Sequence, residues 1–338
     1  MRVLVTGGAG YIGSMLVRLL LERGYDVLVL DRLFFGEKPL SDVKDKIRIV
    51  RDDIRWFDPK ILEGVDAVID LAALSNDPSG ELHPSKTLEI NYEGRKRVAS
   101  LAKKYGVFRY ILASSCSVYG FQEGVLSETS QVNPLTMYAK ANLLAEEATL
   151  ALAERNYITT VLRQATVYGF SYRMRFDLAI NGMVKGLFLN SKIPIQRDGR
   201  QWRPFIHVKD TCRAFVMVLE SEPELVNKEI FNVGSDEQNM MLFKLAQLVS
   251  EACYKPFNYE WYGSPDNRSY KVSFQKIKKI LGFNPTHSIK DGAKEVYEAL
   301  ESGLIDPNDP KTITVQWYKM LISNHELAKD LELHGCIL

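Results

Sequence analysis

Three glycines near the start of the chain have the spacing of an anion-binding turn. Gly7 follows an apolar run that is typical of a β-strand, and Gly10 and Gly13 lead into an apolar-periodic stretch that is typical of a helix. The first glycine can take the turn out of the strand, the second lets the main chain approach a pyrophosphate, and the third lets the helix pack closely on the strand. Because the helix N-terminus would face the anion, this order of residues predicts a dinucleotide-binding site.

A carboxylate after the next predicted strand indicates which dinucleotide binds. Asp31 follows an apolar run at residues 27–30 and lies 24 residues after Gly7. An acidic residue at about this spacing accepts hydrogen bonds from the adenosine ribose hydroxyls and would repel a 2′-phosphate. Arg32, beside it, could instead attract that phosphate. We predict that the cofactor is NAD rather than NADP.

The composition excludes several classes of partner. The chain has 338 residues, of which 46% are hydrophobic and 25% are charged, so it can bury a sizeable core and form two lobes. With a formal net charge of +1, no overall field attracts nucleic acid or an anionic membrane. A strand predicted from residue 2 leaves no room for a signal peptide, and no apolar run approaches the ~20 residues of a membrane span. We therefore expect a cytoplasmic protein that binds neither nucleic acid nor membrane.

The four cysteines show no spacing that is typical of a metal site. Cys116, Cys212, Cys253 and Cys336 lack the CxxC and CxxH patterns of zinc sites and redox pairs. We predict no bound metal, and buried thiols at most of these positions.

Strand-like and helical patterns alternate through the first half of the chain. The strand-like runs lie at residues 47–50, 67–71, 110–113 and 159–162, and amphipathic stretches such as 84–103 and 138–154 separate them. This alternation predicts an α/β fold with a Rossmann-type doubly wound parallel sheet.

The alternation weakens after Tyr168, where glycine, proline and basic residues accumulate. We predict that a smaller, mixed α/β substrate lobe begins there and lies over the carboxyl ends of the strands, where ligands of open parallel sheets bind. The patterns at 205–234 are expected to return to the first lobe. The predicted division is therefore 1–168 with 205–234 for the dinucleotide-binding domain, and 169–204 with 235–338 for the substrate lobe and C-terminal helices.

Further motifs occur in order along nearly the whole chain. They lie at residues 6–13, 71–73, 91–94, 114–120, 138–140, 162–169, 203–210 and 231–234. In this combination the sequence resembles the extended short-chain dehydrogenase/reductase family, in particular its nucleotide-sugar epimerases and dehydratases. The resemblance implies that the substrate is a nucleotide-diphosphate sugar. It also implies a homodimer, formed through the helices predicted at 86–102 and 138–154.

The same resemblance implies the catalytic residues. In that family a tyrosine acts as general base on a sugar hydroxyl while a hydride moves to the nicotinamide, and a serine or threonine hydrogen-bonds the same oxygen. These roles fall on Tyr138 and Ser115. A lysine four residues after the tyrosine normally lowers the pKa of the phenol, but here that position is Asn142, which can hydrogen-bond the nicotinamide ribose without supplying charge. Lys140 would point to another helix face and into solvent. Asp70 is a second departure, because many members have histidine there.

The binding residues implied by the resemblance fall into two groups. The cofactor group is Gly7, Gly10, Tyr11, Ile12, Gly13, Asp31, Asp53, Ile54, Leu71, Ala72, Ala73 and Tyr138. The substrate group is Ser75, Ser115, Cys116, Asn181, Arg203 and Arg268. Asp53 is expected to reach the adenine, although an aspartate that starts a turn fits its spacing equally well. Cys116 could act as an acid or base, or be a buried thiol.

Three functions remain open from the sequence. Family 4,6-dehydratases carry Asp-Glu where this chain has Cys116 and Ser117, which argues against water elimination by the same route. The leading hypothesis is an NAD-dependent nucleotide-sugar epimerase that oxidises the sugar, usually at C4, and reduces it again. The alternatives are a net C4 dehydrogenase or keto-sugar reductase, and, because of Asn142, a non-catalytic protein that binds NAD or a nucleotide sugar.

Overall fold

The chain folds around a seven-stranded parallel β-sheet. The computed structural model describes residues 1–265, 268–332 and 336. Its strands are β1 (Arg2–Thr6), β2 (Asp26–Asp31), β3 (Arg48–Arg51), β4 (Ala67–Asp70), β5 (Arg109–Ser115), β6 (Val125–Leu126), β7 (Ile158–Gln164), β8 (Thr166–Tyr168), β9 (Ile193–Gln196), β10 (Trp202–His207), β11 (Glu229–Val233), β12 (Asn239–Met241), β13 (Tyr259–Tyr262) and β14 (Lys271–Val272). The main sheet has the order β11-β7-β5-β4-β1-β2-β3, and each neighbouring pair is parallel. The predicted Rossmann-type α/β fold is confirmed.

Helices cover both faces of this sheet. They are α1 (Tyr11–Glu22), α2 (Asp77–Gly80), α3 (Pro84–Leu88), α4 (Arg95–Lys104), α5 (Met137–Leu150), α6 (Ala179–Asn190), α7 (Val208–Glu220), α8 (Pro223–Val226), α9 (Leu242–Ala252), α10 (Gln275–Leu281), α11 (Ile289–Glu301) and α12 (Thr314–Leu331). Strand side chains alternate between the faces, so Val3 and Val5 pack with α1 and α7, and Leu4 packs with α4 and α5. The sheet is therefore buried on both sides, as a parallel sheet requires.

The later part of the chain builds smaller sheets beside the main one. Strands β12, β10 and β8 form a three-stranded sheet, and β13 pairs with β9 and β14 with β6. Strand β11 instead joins the edge of the main sheet, beside β7. The apolar core continues from α1 and α7 into α6, α9 and α11 without a break. This packing fixes the later part of the chain against the sheet edge where the ligands of parallel sheets bind.

Two further elements shape that edge. A π-helical segment, Glu89–Gly94, joins α3 to α4 as one continuous helix. Helix α12 packs on the loop that follows β2, where the indole N–H of Trp317 donates to the carbonyl of Phe34 at 2.7 Å. The ring of Tyr318 also contacts Phe34 and Phe35. No helix in the described ranges is both long and apolar enough to cross a membrane.

Candidate active site

A cavity of about 810 Å³ lies at the carboxyl ends of the central strands. Its wall is formed by residues that follow β1, β2, β4 and β5, and by residues of the later part of the chain such as Arg203 and Tyr270. This position, outside the strand ends and between the two parts of the molecule, is where open α/β sheets bind their ligands. The volume falls in the range of cofactor and ligand sites, about 300–1,000 Å³.

The glycine turn at one end of the cavity leaves no space for side chains. Gly7 has a positive φ of 68°, and a Cβ on it would lie 2.9 Å from the main-chain nitrogen of Ala72. A Cβ on Gly13 would lie 2.2 Å from the carbonyl oxygen of Gly7. Gly10 is the N-cap of α1, and it has no side chain that would block an approaching anion. The turn is thus a cradle in which an anion can contact main-chain N–H groups at a helix N-terminus.

Asp31 lies beside this turn, and its carboxylate can accept further hydrogen bonds. One carboxylate oxygen accepts from the main-chain N–H of Ala9 at 2.9 Å, and the other accepts from that of Leu33 at 2.7 Å. Burial raises the pKa of Asp31 above its usual range, and these two hydrogen bonds oppose the rise. Arg32 also lines the cavity, where its guanidinium pairs with Asp53 at 2.9 Å and lies over the ring of Phe34.

The carboxylate of Asp53 is already fully engaged. One oxygen accepts from the main-chain N and Nε of Arg55, and the other accepts from Arg55 Nη2 and Arg32 Nη1, at 2.8–2.9 Å. A carboxylate has about four acceptor positions, so the expected adenine contact would require an arginine to move away. Burial alone would raise the pKa of Asp53. The hydrogen bonds from Arg55 and Arg32 lower the pKa by more than burial raises it, so it lies below its usual value. The aspartate therefore orders the turn at the cavity edge.

The remaining predicted cofactor residues all reach the cavity wall. Tyr11 lines it while its hydroxyl donates to the carbonyl of Gly169 at 2.6 Å. The apolar residues on this wall are Ile12, Ile54, Leu71, Ala72 and Ala73. Together they give the cavity the flat apolar sides on which a nicotinamide or adenine ring can rest.

Tyr138 and Ser115 both line the cavity. Ser115 ends β5, and Tyr138 lies in the first turn of α5, which Thr136 caps by accepting from Ala139 N at 3.2 Å. The two side chains are close enough for Ser115 to affect the ionisation of the phenol. Burial and the charge of Asp77 raise the pKa of Tyr138, while Ser115 and two arginines lower it. The net pKa remains above the ordinary value, so proton removal from this phenol needs further positive charge.

Asn142 does not project into the cavity as a free amide. Its side chain is 1% exposed. The amide nitrogen donates to the carbonyl of Tyr138 at 3.0 Å, and the amide oxygen accepts from Nη1 of Arg95 at 3.0 Å. Lys140 is exposed, as predicted from its helix face. Arg95, which sequence reasoning missed, also lines the cavity.

The buried pair of Asp70 and Arg95 accounts for the departure at position 70. Arg95 Nε donates to Asp70 at 3.3 Å, and both residues are almost completely buried. Asp70 also accepts from the hydroxyls of Thr6 and Tyr110, each at 2.5 Å. A carboxylate is required here because the neighbouring guanidinium would otherwise be an unpaired buried charge. No motif signals this pairing, since the two residues belong to different elements.

Basic residues gather at the opposite end of the cavity. Arg203 donates to the main-chain carbonyl of Arg268 at a short distance, and Arg268 forms an ion pair with Asp77. Arg175 donates to the hydroxyl of Ser75 at 3.2 Å. All five residues line the cavity, so three of the predicted substrate residues, Ser75, Arg203 and Arg268, are brought together with Asp77 and Arg175.

Two predicted substrate residues need correction, because neither lines the cavity formed by the described residues. Cys116 is 1% exposed, its thiol donates to the carbonyl of Arg163 at 3.3 Å, and burial raises its pKa. Asn181 is fully buried, where it accepts from Gly169 N and donates to Tyr11 and to the carbonyl of Arg175. Each side chain faces the core, where its hydrogen bonds hold neighbouring segments of the cavity wall in place.

Residues near α12 complete the cofactor end of the cavity. Tyr318, Phe34 and Phe35 line it, together with Arg173. The guanidinium of Arg173 lies over the ring of Phe35 and donates to Thr314 at 3.0 Å, while its Nε has no partner among the described residues. Burial lowers the pKa of Arg173 to about 10, with the charge of nearby Arg175 adding to the effect. A buried cation with an unused donor is suited to an anionic ligand.

In the described part of the chain, no cluster of three or more His, Cys, Asp or Glu side chains is placed to hold a metal ion. The polar groups that line the cavity include carboxylates, amides, hydroxyls and arginines. Of these, the arginines are suited to phosphates, and the others can bind sugar hydroxyls.

The model of the NAD dependent epimerase/dehydratase family matches residues 3–234. The chain belongs to this family. A UDP-glucose 4-epimerase of Lactobacillus helveticus is 28% identical over 312 residues, with 86% of this chain and 94% of that protein covered. UDP-glucuronic acid decarboxylase 1 of Arabidopsis thaliana is 28% identical over 325 residues, with 92% and 72% covered.

Solved structures extend the family assignment to the whole fold. The UDP-glucuronic acid 4-epimerase of Bacillus cereus, in complex with UDP-glucuronic acid and NAD, has a TM-score of 0.81 at 25% identity, and the match covers 89% of this chain and 99% of that one. This family member is therefore an enzyme with NAD as cofactor. The glycine cradle and the unused donor of Arg173 fit the pyrophosphate of that cofactor.

Proposed function

We propose that this family member is a nucleotide-sugar epimerase that oxidises C4 of the sugar to a ketone and reduces it again on the other face. The observation that carries the proposal is that Tyr138 and Ser115 line the same cavity as the glycine cradle. The relatives named as 4-epimerases support it. Cys116 and Ser117 stand where a dehydratase would need two carboxylates, which argues against water elimination.

The cofactor would be held by residues on both sides of the cavity. The N–H groups at the start of α1 and the guanidinium of Arg173 would bind the pyrophosphate from opposite sides. The two carboxylate oxygens of Asp31 would accept hydrogen bonds from the adenosine ribose. Tyr318, from α12, would cover the cofactor at this end. When bound, NAD⁺ accepts the hydride from the sugar carbon and returns it.

Tyr138 and Ser115 would move the proton that accompanies this hydride. As the C4 hydride leaves, the phenolate of Tyr138 would take the proton from the 4-hydroxyl, and Ser115 would donate a hydrogen bond to the same oxygen. The keto sugar would then rotate, accept the hydride on its other face and regain the proton from Tyr138. No net oxidant is consumed in this cycle.

The diphosphate of the substrate would lie against Arg203 and Arg268. Two phosphate charges need basic partners in a protein whose net charge is only +1. Arg268 is held by Asp77 in the structure, so a phosphate would share or replace this carboxylate. Ser75 and Arg175 would contact the sugar between the diphosphate and Tyr138.

The experiment begins with mass spectrometry of nucleotides released from the denatured protein, which should find NAD or NADH. NMR of incubations with UDP-glucose, UDP-glucuronic acid and their N-acetylated relatives should then show conversion to the C4 epimer without net change of cofactor. Tyr138→Phe should abolish conversion while the bound nucleotide is retained. Stoichiometric change of the cofactor would identify a dehydrogenase or reductase instead, and binding without conversion would identify a non-catalytic protein.

A further inference from the structure

Three residues form a buried polar cluster that contacts the main chain of Tyr138. The Asp70–Arg95–Asn142 cluster joins β4, the start of α4 and the middle of α5, and each of its side chains is at most 1% exposed. Two of its members, Asp70 and Asn142, are the positions where the sequence departs from its family pattern. Arg95 contacts both of them, so the two departures are parts of one arrangement.

The guanidinium of Arg95 is held in one orientation. Its Nη2 donates to the main-chain carbonyls of Asp70 and Ala113, at 3.0 and 2.5 Å. Its Nε faces the carboxylate of Asp70, and its Nη1 faces Asn142 on the side of the cavity. Backbone carbonyls on two adjacent strands fix the group, so it cannot rotate away without losing several buried hydrogen bonds.

Asp70 and Asn142 bind different nitrogens of Arg95, Nε and Nη1. The oxygens of Asp70 also accept hydroxyl hydrogen bonds from Thr6 and Tyr110. The Nη1 group of the guanidinium is therefore the one that contacts Asn142 and, through it, the main chain of Tyr138. Arg95 acts to lower the pKa of Tyr138, in the direction that a lysine at position 142 would act.

Groups from every side of Tyr138 contribute to its charge environment. Asp77 of α2 opposes ionisation of the phenol, and Ser115 of β5 and Arg175 of the segment before α6 favour it. Arg175, like Arg95, is held by a carboxylate, in a forked ion pair with Asp177 at 3.0 and 2.9 Å. Arg95 is the cation that is joined through Asn142 to the main chain of Tyr138, so its placement corresponds to that of the missing lysine.

We propose that Arg95 is the positioning residue of this enzyme: it supplies, across Asn142, the positive charge beside Tyr138 that other family members place on the lysine of α5. The catalytic role that this inference gives to Arg95 rests on the proposed function. Asn142 connects the two residues, because its amide oxygen accepts from the guanidinium of Arg95 and its amide nitrogen donates to the main-chain carbonyl of Tyr138. Asp70 holds the guanidinium in place.

The test measures the ionisation of Tyr138 directly. Tyrosine labelled at Cζ is titrated by NMR, with and without NAD⁺, and Tyr138→Phe identifies the signal. Arg95→Gln alone would leave Asp70 as an unpaired buried charge and could unfold the protein. The informative variant is therefore the double substitution Asp70→Asn with Arg95→Gln, which removes both charges and keeps the shape.

The double variant should raise the midpoint of the Tyr138 titration by about one pH unit, the low end of the range for losing a nearby opposite charge, because the charge of Asp70 is removed together with that of Arg95. The rising limb of kcat against pH should move upward by the same amount, and Arg95→Lys, which keeps the charge, should move it less. Adding Asn142→Lys to the double variant should return the midpoint towards the parent value. An unchanged midpoint in the folded double variant would overturn the proposal.

This readout is independent of turnover. If no nucleotide sugar is converted but the titration shifts as expected, the proposed epimerase fails and the role of Arg95 stands. If conversion occurs but the double variant keeps the parent pH profile and midpoint, the epimerase stands and the role of Arg95 fails.

Discussion

Replacement of Asn142 by lysine restores the family residue, yet we expect it to destabilise this protein. Position 142 is 1% exposed, and Nη1 of Arg95 lies 3.0 Å from the amide oxygen of Asn142. A lysine ammonium at this position would enter the buried space beside the guanidinium, and a separation of about 4 Å sets the scale of their repulsion. At the effective dielectric constant of about 20 that describes protein interiors, two like charges at this distance repel by about 4 kcal/mol. The substitution therefore adds a second cation where one is already buried.

Urea unfolding followed by tryptophan fluorescence measures this effect, and Asn142→Met is the matched control. Methionine has nearly the length of lysine without its charge, so the difference between the two variants isolates the repulsion. The lysine variant should be less stable than the methionine variant by about 4 kcal/mol at neutral pH. The difference should shrink as pH rises towards the ordinary lysine pKa of about 10.4, because the ammonium loses its proton.

Equal stability of the two variants at neutral pH would refute the reasoning, since it would mean that no cation faces position 142. The Asp70→Asn and Arg95→Gln background provides a second check. In that background the lysine has no guanidinium to repel it, so the gap between the lysine and methionine variants should largely close.

Three other substitutions test other parts of the site. Gly13→Ala should lower NAD affinity at least tenfold, measured by calorimetry, because its methyl group would lie 2.2 Å from the carbonyl oxygen of Gly7. Arg173→Met should also weaken NAD binding about tenfold or more, since its Nε, which has no partner among the described residues, is free to donate to the cofactor; equal NAD affinity would exclude Arg173 from the pyrophosphate site. Leu144→Arg, on the exposed face of α5, should convert a dimer to a monomer in gel filtration if the predicted helix pairing is correct, and an unchanged elution volume would contradict that pairing.

The cofactor end of the cavity could be predicted because its signals are local. Gly7, Gly13 and Asp31 lie within one strand, turn, helix and strand unit, and the backbone geometry of that unit sets their positions. The pair of Tyr138 and Ser115 needed the family resemblance, because one residue ends a strand and the other begins a helix. Once the parallel sheet is formed, both lie at its carboxyl edge.

The orientation of individual side chains could not be predicted in the same way. Arg95 follows the π-helical segment, whose wider turn changes which residues of α4 face the sheet, and no residue pattern marks that change. Cys116 and Asn181 occupy the expected segments, but the turn at 116–119 and the first turn of α6 direct both side chains into the core. Asp53 reaches the cavity edge with its acceptors already used by two arginines, which depends on side-chain packing alone.

The contact between Trp317 and Phe34 joins residues 283 positions apart along the chain. On the ribosome, the first strands and the glycine turn emerge long before α12, since synthesis proceeds from the N-terminus at about 5–20 residues per second. Tyr318 can close over the loop after β2 only once α12 has also been translated. A nascent chain that lacks α12 would thus offer the coenzyme an unfinished pocket, and stable capture of the dinucleotide would be among the last steps in the protein's biogenesis.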